Sequence, residues 1–375
     1  MQPVLRISCR GSLTITLNGL TSNQVALLHK IISSSARLVG NRATLLTNAS
    51  QTTALTGTVG QLKSLAHDMA TLDTRFADLP AKIESLLDNY LRSDYKITCK
   101  KKILDLGSRT HIMGILNATP DSFSGDGLYG NKNRALAYAR ELAASGADIL
   151  DIGGESTRPG SKPVSIDEEL NRIIPLIKQL STELTLPISV DTYRSTVAKN
   201  ALEAGASIIN DISGLRFSPD MANVAADYDA AVIIMHIKGT PFDMQQNPVY
   251  DDVVGEVIAY LEGGIAIAEK AGVDREKILI DPGIGFGKTI EHNLMLLNRL
   301  DELRSLGRPI VLGTSRKKFI GTILNASAPE QRVDGTAATV ALGIERGACV
   351  IRVHDVARMA NVANVSDAIL KKNAI

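Results

Sequence analysis

The chain has 375 residues and 44% of them are apolar, so it is long enough to bury one large core and a smaller one. Its 41 lysines and arginines nearly balance its 40 aspartates and glutamates, which argues against nucleic acid or an anionic membrane as a partner. No apolar run approaches the ~20 residues that cross a bilayer, and the 3 cysteines are far apart without metal-binding spacing. These features predict a cytoplasmic protein that binds any anionic ligand at a local site.

Residues 1–105 predict a small α+β domain of unknown role. The patterns predict strands at Leu13–Leu17, Arg42–Leu46 and Thr52–Thr58, and helices at Ser22–Ser33 and Gly60–Leu72. A polar helix and a linker near Tyr90–Lys102 follow. No group of residues in this part suggests chemistry, so a docking or regulatory element and a scaffold remnant both stay open as interpretations.

Residues 106–375 alternate between short β-branched runs and helical segments. The predicted strands are His111–Leu116, Asp148–Ile152, Pro187–Val190, Ser207–Ile209, Ala231–Met235, Lys277–Ile280, Pro309–Leu312 and Cys349–Val353. The predicted helices include Asn133–Ala144, Asp167–Leu180, Thr196–Ala204, Val253–Ala271 and Ile290–Leu306, with two more near Lys317–Leu324 and Gly335–Arg346. Near-continuous apolar strands between helices indicate a parallel sheet covered on both faces. Eight such units favour an α/β fold of the (β/α)8 TIM barrel type over an open doubly wound sheet.

Polar or charged residues follow every predicted strand of this barrel. The carboxyl ends of barrel strands form one face, and active sites lie on that face. At any single position, an Asp or Asn that caps the next helix is an equally good explanation. Capping does not explain why all eight strands end in this way, nor why basic residues such as Lys317, Arg352 and His354 are among them. We therefore expect one shared polar site.

Three of these residues suit a flat nitrogen heterocycle. Asp191, Asn210 and Asp281 offer carboxylate and amide groups to adjacent N–H donors of a ring. A carboxylate that accepts two such bonds gains roughly 1.5–3 kcal/mol from each. The pattern predicts a ring-binding pocket.

Other strand ends suit a phosphorylated ligand. Arg352 and His354 are two residues apart on one strand and therefore point the same way. With Lys317 they form a cationic group suited to phosphate. Asn117 supplies a hard oxygen ligand, compatible with a Mg²⁺ ion that keeps most of its waters and bridges to phosphate. An aromatic ring joined to a diphosphate would use all of these groups.

The glycine-rich segment Gly283–Lys288 is similar to a phosphate loop. It lacks the Walker spacing and follows the sixth strand, so a nucleoside triphosphate site is not expected. No serine has the surroundings of a nucleophile elbow, and covalent catalysis is not indicated.

Eight segments of the chain resemble, in order, the motifs of the dihydropteroate synthase family. They are MGILNATPDSFSGDG (113–127), DIGGESTRPGS (151–161), SVDTYRS (189–195), IINDISG (208–214), IIMHIKGTPFDMQ (233–245), IDPGIGFGK (280–288), GTSRKKFIG (313–321) and VIRVHDV (350–356). The resemblance runs from residue 113 to residue 356 without a large gap. The first 105 residues resemble, more loosely, an extension carried by longer family members.

The resemblance implies condensation of 6-hydroxymethyl-7,8-dihydropterin diphosphate with p-aminobenzoate, which gives 7,8-dihydropteroate and pyrophosphate in folate biosynthesis. It also implies Mg²⁺ as the cofactor and a homodimer as the assembly. The implied pterin contacts are Asp191, Asn210, Met235, Asp281 and Lys317. The implied diphosphate contacts are Asn117, which would also bind the metal, Arg352 and His354. The aminobenzoate pocket and its mobile second loop would include Thr157, Arg158, Pro159, Phe286 and Ser315, and the catalytic group would be Lys317, Arg352 and His354.

One departure concerns the first loop. It reads Ser124-Gly125-Asp126-Gly127, where many relatives have Ser-Asp-Gly-Gly, so the role of Asp126 stays open. Two alternatives to the synthase also remain. A pterin-binding methyltransferase module that acts on a corrinoid protein would leave Lys317, Arg352 and His354 without a diphosphate to bind. A non-catalytic pterin-binding protein would leave the full set of site residues without a purpose.

Overall fold

A computed structural model describes residues 4–9, 13–18, 20–35, 44–47, 53–72, 76, 78–100, 102–119, 132–157, 161 and 163–370. Contacts divide the chain into two units. The first contains Met1–Arg92 with Asp301–Gly307, and the second contains Ser93–Leu300 with Arg308–Ile375. No helix in the described ranges is both long and apolar enough to span a membrane.

The first unit is an antiparallel sheet with helices. Its elements are β1 (Val4–Cys9), β2 (Leu13–Asn18), α1 (Ser22–Ser35), β3 (Thr44–Thr47), β4 (Thr53–Gly57), α2 (Val59–Leu72) and α3 (Leu79–Leu91), with strand order β1-β2-β4-β3. Residues buried at alternate positions of β2 and β4 pack with the helices into one core. Capping boxes start both α1 and α2: Gln24 N donates to Thr21 Oγ1 at 3.3 Å, and Gln61 N donates to Thr58 Oγ1 at 3.3 Å.

The prediction of a linker near Tyr90–Lys102 is wrong. Residues there form most of a hairpin of β5 (Lys96–Cys99) and β6 (Lys102–Asp105). Tyr95, Ile97 and Cys99 are buried in a cluster with apolar residues from the beginnings of the barrel strands. The hairpin therefore belongs to the barrel core and covers the amino-terminal end of the barrel.

The predicted barrel is confirmed, and in the described part of the chain eight parallel strands close it in the order β10-β11-β12-β13-β14-β7-β8-β9. The strands are β7 (His111–Asn117), β8 (Ile149–Gly153), β9 (Ile188–Asp191), β10 (Ile208–Asp211), β11 (Ala231–Met235), β12 (Ile278–Asp281), β13 (Ile310–Leu312) and β14 (Ala348–Val353). The helices are α4 (Lys132–Ala144), α5 (Ile166–Glu183), α6 (Ser195–Ala204), α7 (Met221–Asp227), α8 (Val253–Lys270), α9 (Ile290–Asn298), α10 (Lys318–Leu324), α11 (Val333–Glu345) and α12 (Val356–Ile369).

The predicted helix Ile290–Leu306 is wrong in its second half. The α-helix ends at Asn298, and Leu300–Leu306 is a 3₁₀ helix. A 3₁₀ helix has three residues per turn, so leucines three apart lie on one side. Leu300, Leu303 and Leu306 have that spacing and all three are buried.

The register of the barrel aligns the polar strand ends. Asn117 pairs with Gly153, Gly153 with Asp191 and Asp191 with Asn210, while Met235 pairs with Asp281. Neighbouring strands lie about 4.7–4.9 Å apart. These residues therefore sit side by side at the carboxyl face of the barrel.

We expect a truncated chain that starts at Ser93 to fold, and one that starts at Leu104 to be less stable. The shorter chain lacks the buried Tyr95 and Ile97 of the barrel core. Full burial of a large apolar side chain contributes roughly 1.5–3 kcal/mol, so these two residues account for about 3–6 kcal/mol of unfolding free energy. Urea unfolding of both chains measures the difference. Equal midpoints would show that the hairpin does not support the barrel.

Candidate active site

A cavity of ≈ 350 Å³, part of it open to solvent, lies at the carboxyl face of the barrel. It is lined by Thr157, Asp191, Asn210, Ile212, Met235, Asp281, Gly283, Ile284, Phe286, Gly313, Lys317 and Arg352. All five predicted pterin contacts, together with Thr157, Phe286 and Arg352, are therefore brought together in one place.

Arg352 forms a double ion pair in this cavity. Its Nε donates to Asp151 Oδ2 at 2.6 Å and its Nη2 donates to Asp191 Oδ2 at 2.6 Å. Asp151 is fully buried, and its Oδ2 also accepts from Asn210 Nδ2 at 3.2 Å. One carboxylate therefore orients both the arginine and the amide that line the cavity.

Within the described part of the chain, the second oxygen of each of these carboxylates has no donor. Asp151 Oδ1 and Asp191 Oδ1 are buried without a hydrogen-bond partner among the described residues. Burial raises the pKa of Asp191 to about 7, and the negative charge of Asp151 adds to this effect while the charge of Arg352 opposes it. Buried acceptors without donors are costly in a protein on its own. The arrangement suits a ligand that brings N–H groups.

Asp281 presents a third buried carboxylate, from β12. Its Oδ1 accepts from Gly283 N at 2.7 Å, a bond that fixes the plane of the carboxylate. Burial raises its pKa, although Lys317 and Arg352 draw it in the opposite direction. The cavity thus combines acceptors from β9, β10 and β12 with two basic side chains.

Lys317 reaches the cavity from a turn held by a half-buried ion pair. It is the N-cap of α10, and its Nζ lies 4.2 Å from the centroid of the Phe286 ring, a cation–π contact. The preceding Arg316 has a φ of 55° and binds Asp355 at 2.9 and 2.6 Å through Nε and Nη2. That bidentate pair stabilises the left-handed residue that directs Lys317.

Asn117, Ser315 and His354 do not line the cavity. Ser315 Oγ lies 2.9 Å from His354 Nδ1 and accepts from His354 N at 3.1 Å. Asn117 ends β7, between the strands that carry Arg352 and Asp151. These three residues are near the strand ends, beside strands that carry residues of the cavity lining.

Arg194, Tyr193 and Glu155 hold the two ends of the second loop, and this group is termed the clamp below. Arg194 Nη2 binds Glu155 Oε2 at 2.7 Å and donates to Val164 O at 2.9 Å. Tyr193 Oη donates to the other oxygen of Glu155 at 2.5 Å. The clamp joins the two ends of the loop that carries Thr157. Arg158 and Pro159 of this loop, and Asp126 of the first loop, lie outside the described residues.

Sequence reasoning missed Asp151 as a site residue. Asp151 is the third of the five residues of β8 and pairs in register with Ser189, whereas Gly153, two residues later, pairs with Asp191. No signal in the sequence marked its pairing with Arg352. The reasoning also set aside Lys288, which is buried and bonded within the glycine-rich loop.

Asn117 fits a Mg²⁺ ion held mainly by water and by a phosphorylated ligand. Among the described residues, no group of three or more His, Cys, Asp and Glu side chains could hold a metal ion. Mg²⁺ usually keeps several waters and takes one or two protein oxygens with substrate phosphates. A lone amide oxygen beside the strand of Arg352 and His354 matches that requirement.

Comparisons with known proteins agree with this geometry. The family model of pterin binding enzymes matches residues 113–354. A dihydropteroate synthase of Synechocystis sp. is 49% identical over 267 residues, which cover 71% of this chain and 92% of the relative.

Solved structures give the same result. The Yersinia pestis dihydropteroate synthase, crystallised with a sulfonamide drug complex, superposes with a TM-score of 0.71 at 40% identity and covers 74% of this chain and 99% of its own. The Xanthomonas albilineans enzyme in complex with 7,8-dihydropteroate gives 0.66 at 42% identity, with 73% and 98% covered. The chain therefore belongs to the pterin binding enzyme family, within its dihydropteroate synthases.

Proposed function

We propose that this chain condenses 6-hydroxymethyl-7,8-dihydropterin diphosphate with p-aminobenzoate, giving 7,8-dihydropteroate and pyrophosphate for folate biosynthesis. The observation that carries the proposal is the cavity itself: its lining residue Asp191 has a buried oxygen without a donor among the described residues and lies with Lys317 and Arg352 in the same lining. A pterin supplies the missing N–H groups, and its diphosphate supplies the anion. Solved relatives bound to p-aminobenzoate and to 7,8-dihydropteroate support this assignment.

In this proposal the ring is recognised by Asp191, Asn210 and Asp281. Asp281 accepts from the 2-amino group and the adjacent ring N–H, while Asp191 and Asn210 bind the opposite edge. Met235 packs against the face of the ring, since it lies beside Asp281 in the strand register and lines the cavity. Lys317 bonds to the ring and remains close to the leaving group.

The diphosphate lies among Asn117, Arg352 and His354. A Mg²⁺ ion held by Asn117 would neutralise part of the diphosphate charge. Although burial alone would lower the pKa of Arg352, the charges of Asp151 and Asp191 raise it above its usual value. The guanidinium therefore keeps its charge in a dry site, and that charge is already oriented before the ligand binds.

The second substrate binds near Phe286 and Ser315, with Thr157, Arg158 and Pro159 of the second loop closing over it. Phe286 supports an aromatic ring on one side and contacts Lys317 on the other. The clamp of Glu155 and Arg194 restricts where that loop can lie.

The reaction needs no side chain as an essential general base. The attacking amine is neutral at pH 7 and already has its lone pair. The bond between the methylene carbon of the pterin and the diphosphate oxygen breaks, and its electrons leave with pyrophosphate. The amine then forms the new C–N bond and loses its proton to solvent. Lys317, Arg352 and His354 stabilise the charge that develops on the leaving oxygen.

The proposal includes a homodimer in the cytoplasm. Apolar side chains are exposed on two adjacent helices, Leu294 and Met295 on α9 and Leu342 on α11. Arg346, the residue that follows α11, donates from Nε to Asn298 O at the end of α9 at 3.1 Å, so the two helix ends are adjacent. A second copy of the chain would cover these exposed side chains.

Asp281→Asn should weaken pterin binding by about 2–4 kcal/mol, because a charged hydrogen bond is lost and an amide donor then faces the ring N–H. The fold should keep its stability, since the change removes a buried charge. Calorimetric titration with 6-hydroxymethylpterin measures the dissociation constant, and Asp227→Asn on the exposed face of α7 is the matched control. An unchanged constant would assign recognition of this ring edge to Asp191.

With both substrates present, the protein should release pyrophosphate, whereas methyl transfer consumes no diphosphate. If departure of the leaving group drives the reaction, the enzyme–pterin complex should also release or exchange pyrophosphate slowly before the amine is added. Chelation of Mg²⁺ should slow bond cleavage in single-turnover experiments by about 10²–10³-fold, the usual cost of removing one such stabilising group. Cleavage that requires the amine, at rates that follow the nucleophilicity of substituted anilines steeply, would indicate direct displacement instead.

A further inference from the structure

The glycine-rich segment Gly283–Lys288 folds around its own lysine. Lys288 Nζ donates to Gly283 O at 2.9 Å and to Phe286 O at 3.0 Å, and it lies 2.8 Å from His236 Nδ1. A phosphate loop turns its backbone N–H groups toward an anion. Here the carbonyl oxygens turn toward a cation, so the segment, termed the lysine cage below, does not bind phosphate.

Among the described residues, Gly283 O and Phe286 O of the cage and His236 Nδ1 beside it surround the Lys288 nitrogen. These three groups match the three donors of an ammonium group. His236 is 3% exposed, and burial, with the charge of Lys288 next in importance, lowers its pKa to about 2. The imidazole is therefore neutral and accepts through Nδ1. Lys288 is also 3% exposed, and burial lowers its pKa as well. The cage thus satisfies every donor of a side chain that is costly to bury.

The glycine that starts the cage is required by space as well as by conformation. Gly283 has a φ of 66°, and a Cβ at that position would lie 1.8 Å from His236 O. Only glycine allows the two backbone segments to approach this closely.

Bonds from outside the cage hold two more of its backbone groups. Gly285 N donates to Asn293 Oδ1 at 2.6 Å, and Gly287 O accepts from Tyr250 Oη at 2.7 Å. Gly283 O accepts from Phe286 N as well as from Lys288, and Phe286 O accepts from Lys288, which is thus a central support of the loop.

The cage is directly connected to the cavity. Gly283, Ile284 and Phe286 line it, Gly283 N orients the carboxylate of Asp281, and the Phe286 ring contacts Lys317. A change in the cage would therefore move the surface that faces the substrates without removing any group that contacts them.

We infer that Lys288 is a positioning residue for the condensation: its side-chain nitrogen holds the loop so that Phe286 faces the second substrate. This inference rests on the proposed function. Loss of Lys288 should affect the aromatic amine more than the pterin, because Asp191, Asn210 and Asp281 stand on strands of the barrel and only Asp281 is also bonded to the loop, through Gly283 N.

The test compares Lys288→Met with Lys277→Met in the full-length protein. Methionine retains the length and apolar character of the stem but has no donors. Lys277 is a second buried lysine, at the opposite end of β12, where its Nζ binds Asp229 O at 2.9 Å and Asp229 Oδ1 at 2.6 Å. Both changes remove a buried ammonium group, but only one lies next to the cavity.

Steady-state turnover of the wild-type protein comes first, and its absence would refute the proposed function and not the positioning role. Given turnover, we expect Lys288→Met to raise KM for p-aminobenzoate about tenfold or more, while the dissociation constant of the pterin changes less than about threefold. Lys277→Met should lower the unfolding midpoint without changing KM. An unchanged KM in Lys288→Met, or an equal rise in Lys277→Met, would overturn the inference.

Hydrogen exchange provides a second measure that does not need turnover. The amide of Phe286, which donates to Gly283 O at 3.0 Å, should exchange at least about tenfold faster in Lys288→Met, and amides of α8 should keep their protection. Unchanged protection of Phe286 would also overturn the inference. If Lys288→Met is not recovered folded, Lys288→Gln, which keeps two donors, is tested in the same way.

Discussion

Arg352 lies at the carboxyl end of the barrel between Asp151 and Asp191, and the organisation of the site depends on this double ion pair. The three residues come from β14, β8 and β9, so the pair ties together one side of the closed barrel. Moving three ionised groups out of water has a large cost, which their attraction offsets only in part. The unpartnered oxygens of the two carboxylates, as far as the described residues go, add to that cost. A ligand that donates N–H groups to these oxygens would explain why the chain keeps such a costly cluster.

In two loops around this cluster, a basic side chain likewise holds its neighbours in place. Lys288 holds the loop of Phe286 through backbone carbonyls, and Arg194 clamps the ends of the loop of Thr157 through Glu155. In both places a basic side chain holds irregular backbone that a parallel barrel does not stabilise by strand pairing. In the proposed function, the strands supply the acceptors for the ring, and these two loops lie beside the second substrate.

Much of the barrel was predictable because its strands are short, apolar and separated by amphipathic helices, and the polar residue at each strand end marked the site. Asp281 and Asn210 could be placed for this reason. The role of Asp151 could not, because its partner Arg352 is far away in the chain and the pairing appears only when the barrel closes. The hairpin of β5 and β6 was predicted to be a linker. Its charged Lys96 and Lys102 and its exposed Ile103 obscure the alternating apolar pattern of its buried residues. The cage was missed because sequence does not show whether a loop turns carbonyls or N–H groups inward.

The central claim is that the buried charge cluster serves binding at the expense of stability. The most direct measurement replaces all three charges together, with Asp151→Leu, Asp191→Val and Arg352→Met, and compares urea unfolding and pterin binding with the wild-type protein. Replacing a buried ionic triad by apolar residues of similar size is often neutral or stabilises a fold by about 1–4 kcal/mol. We expect an unfolding free energy at least equal to that of the wild type, together with loss of measurable pterin binding. A triple variant that unfolds readily, or one that still binds pterin, would contradict the account.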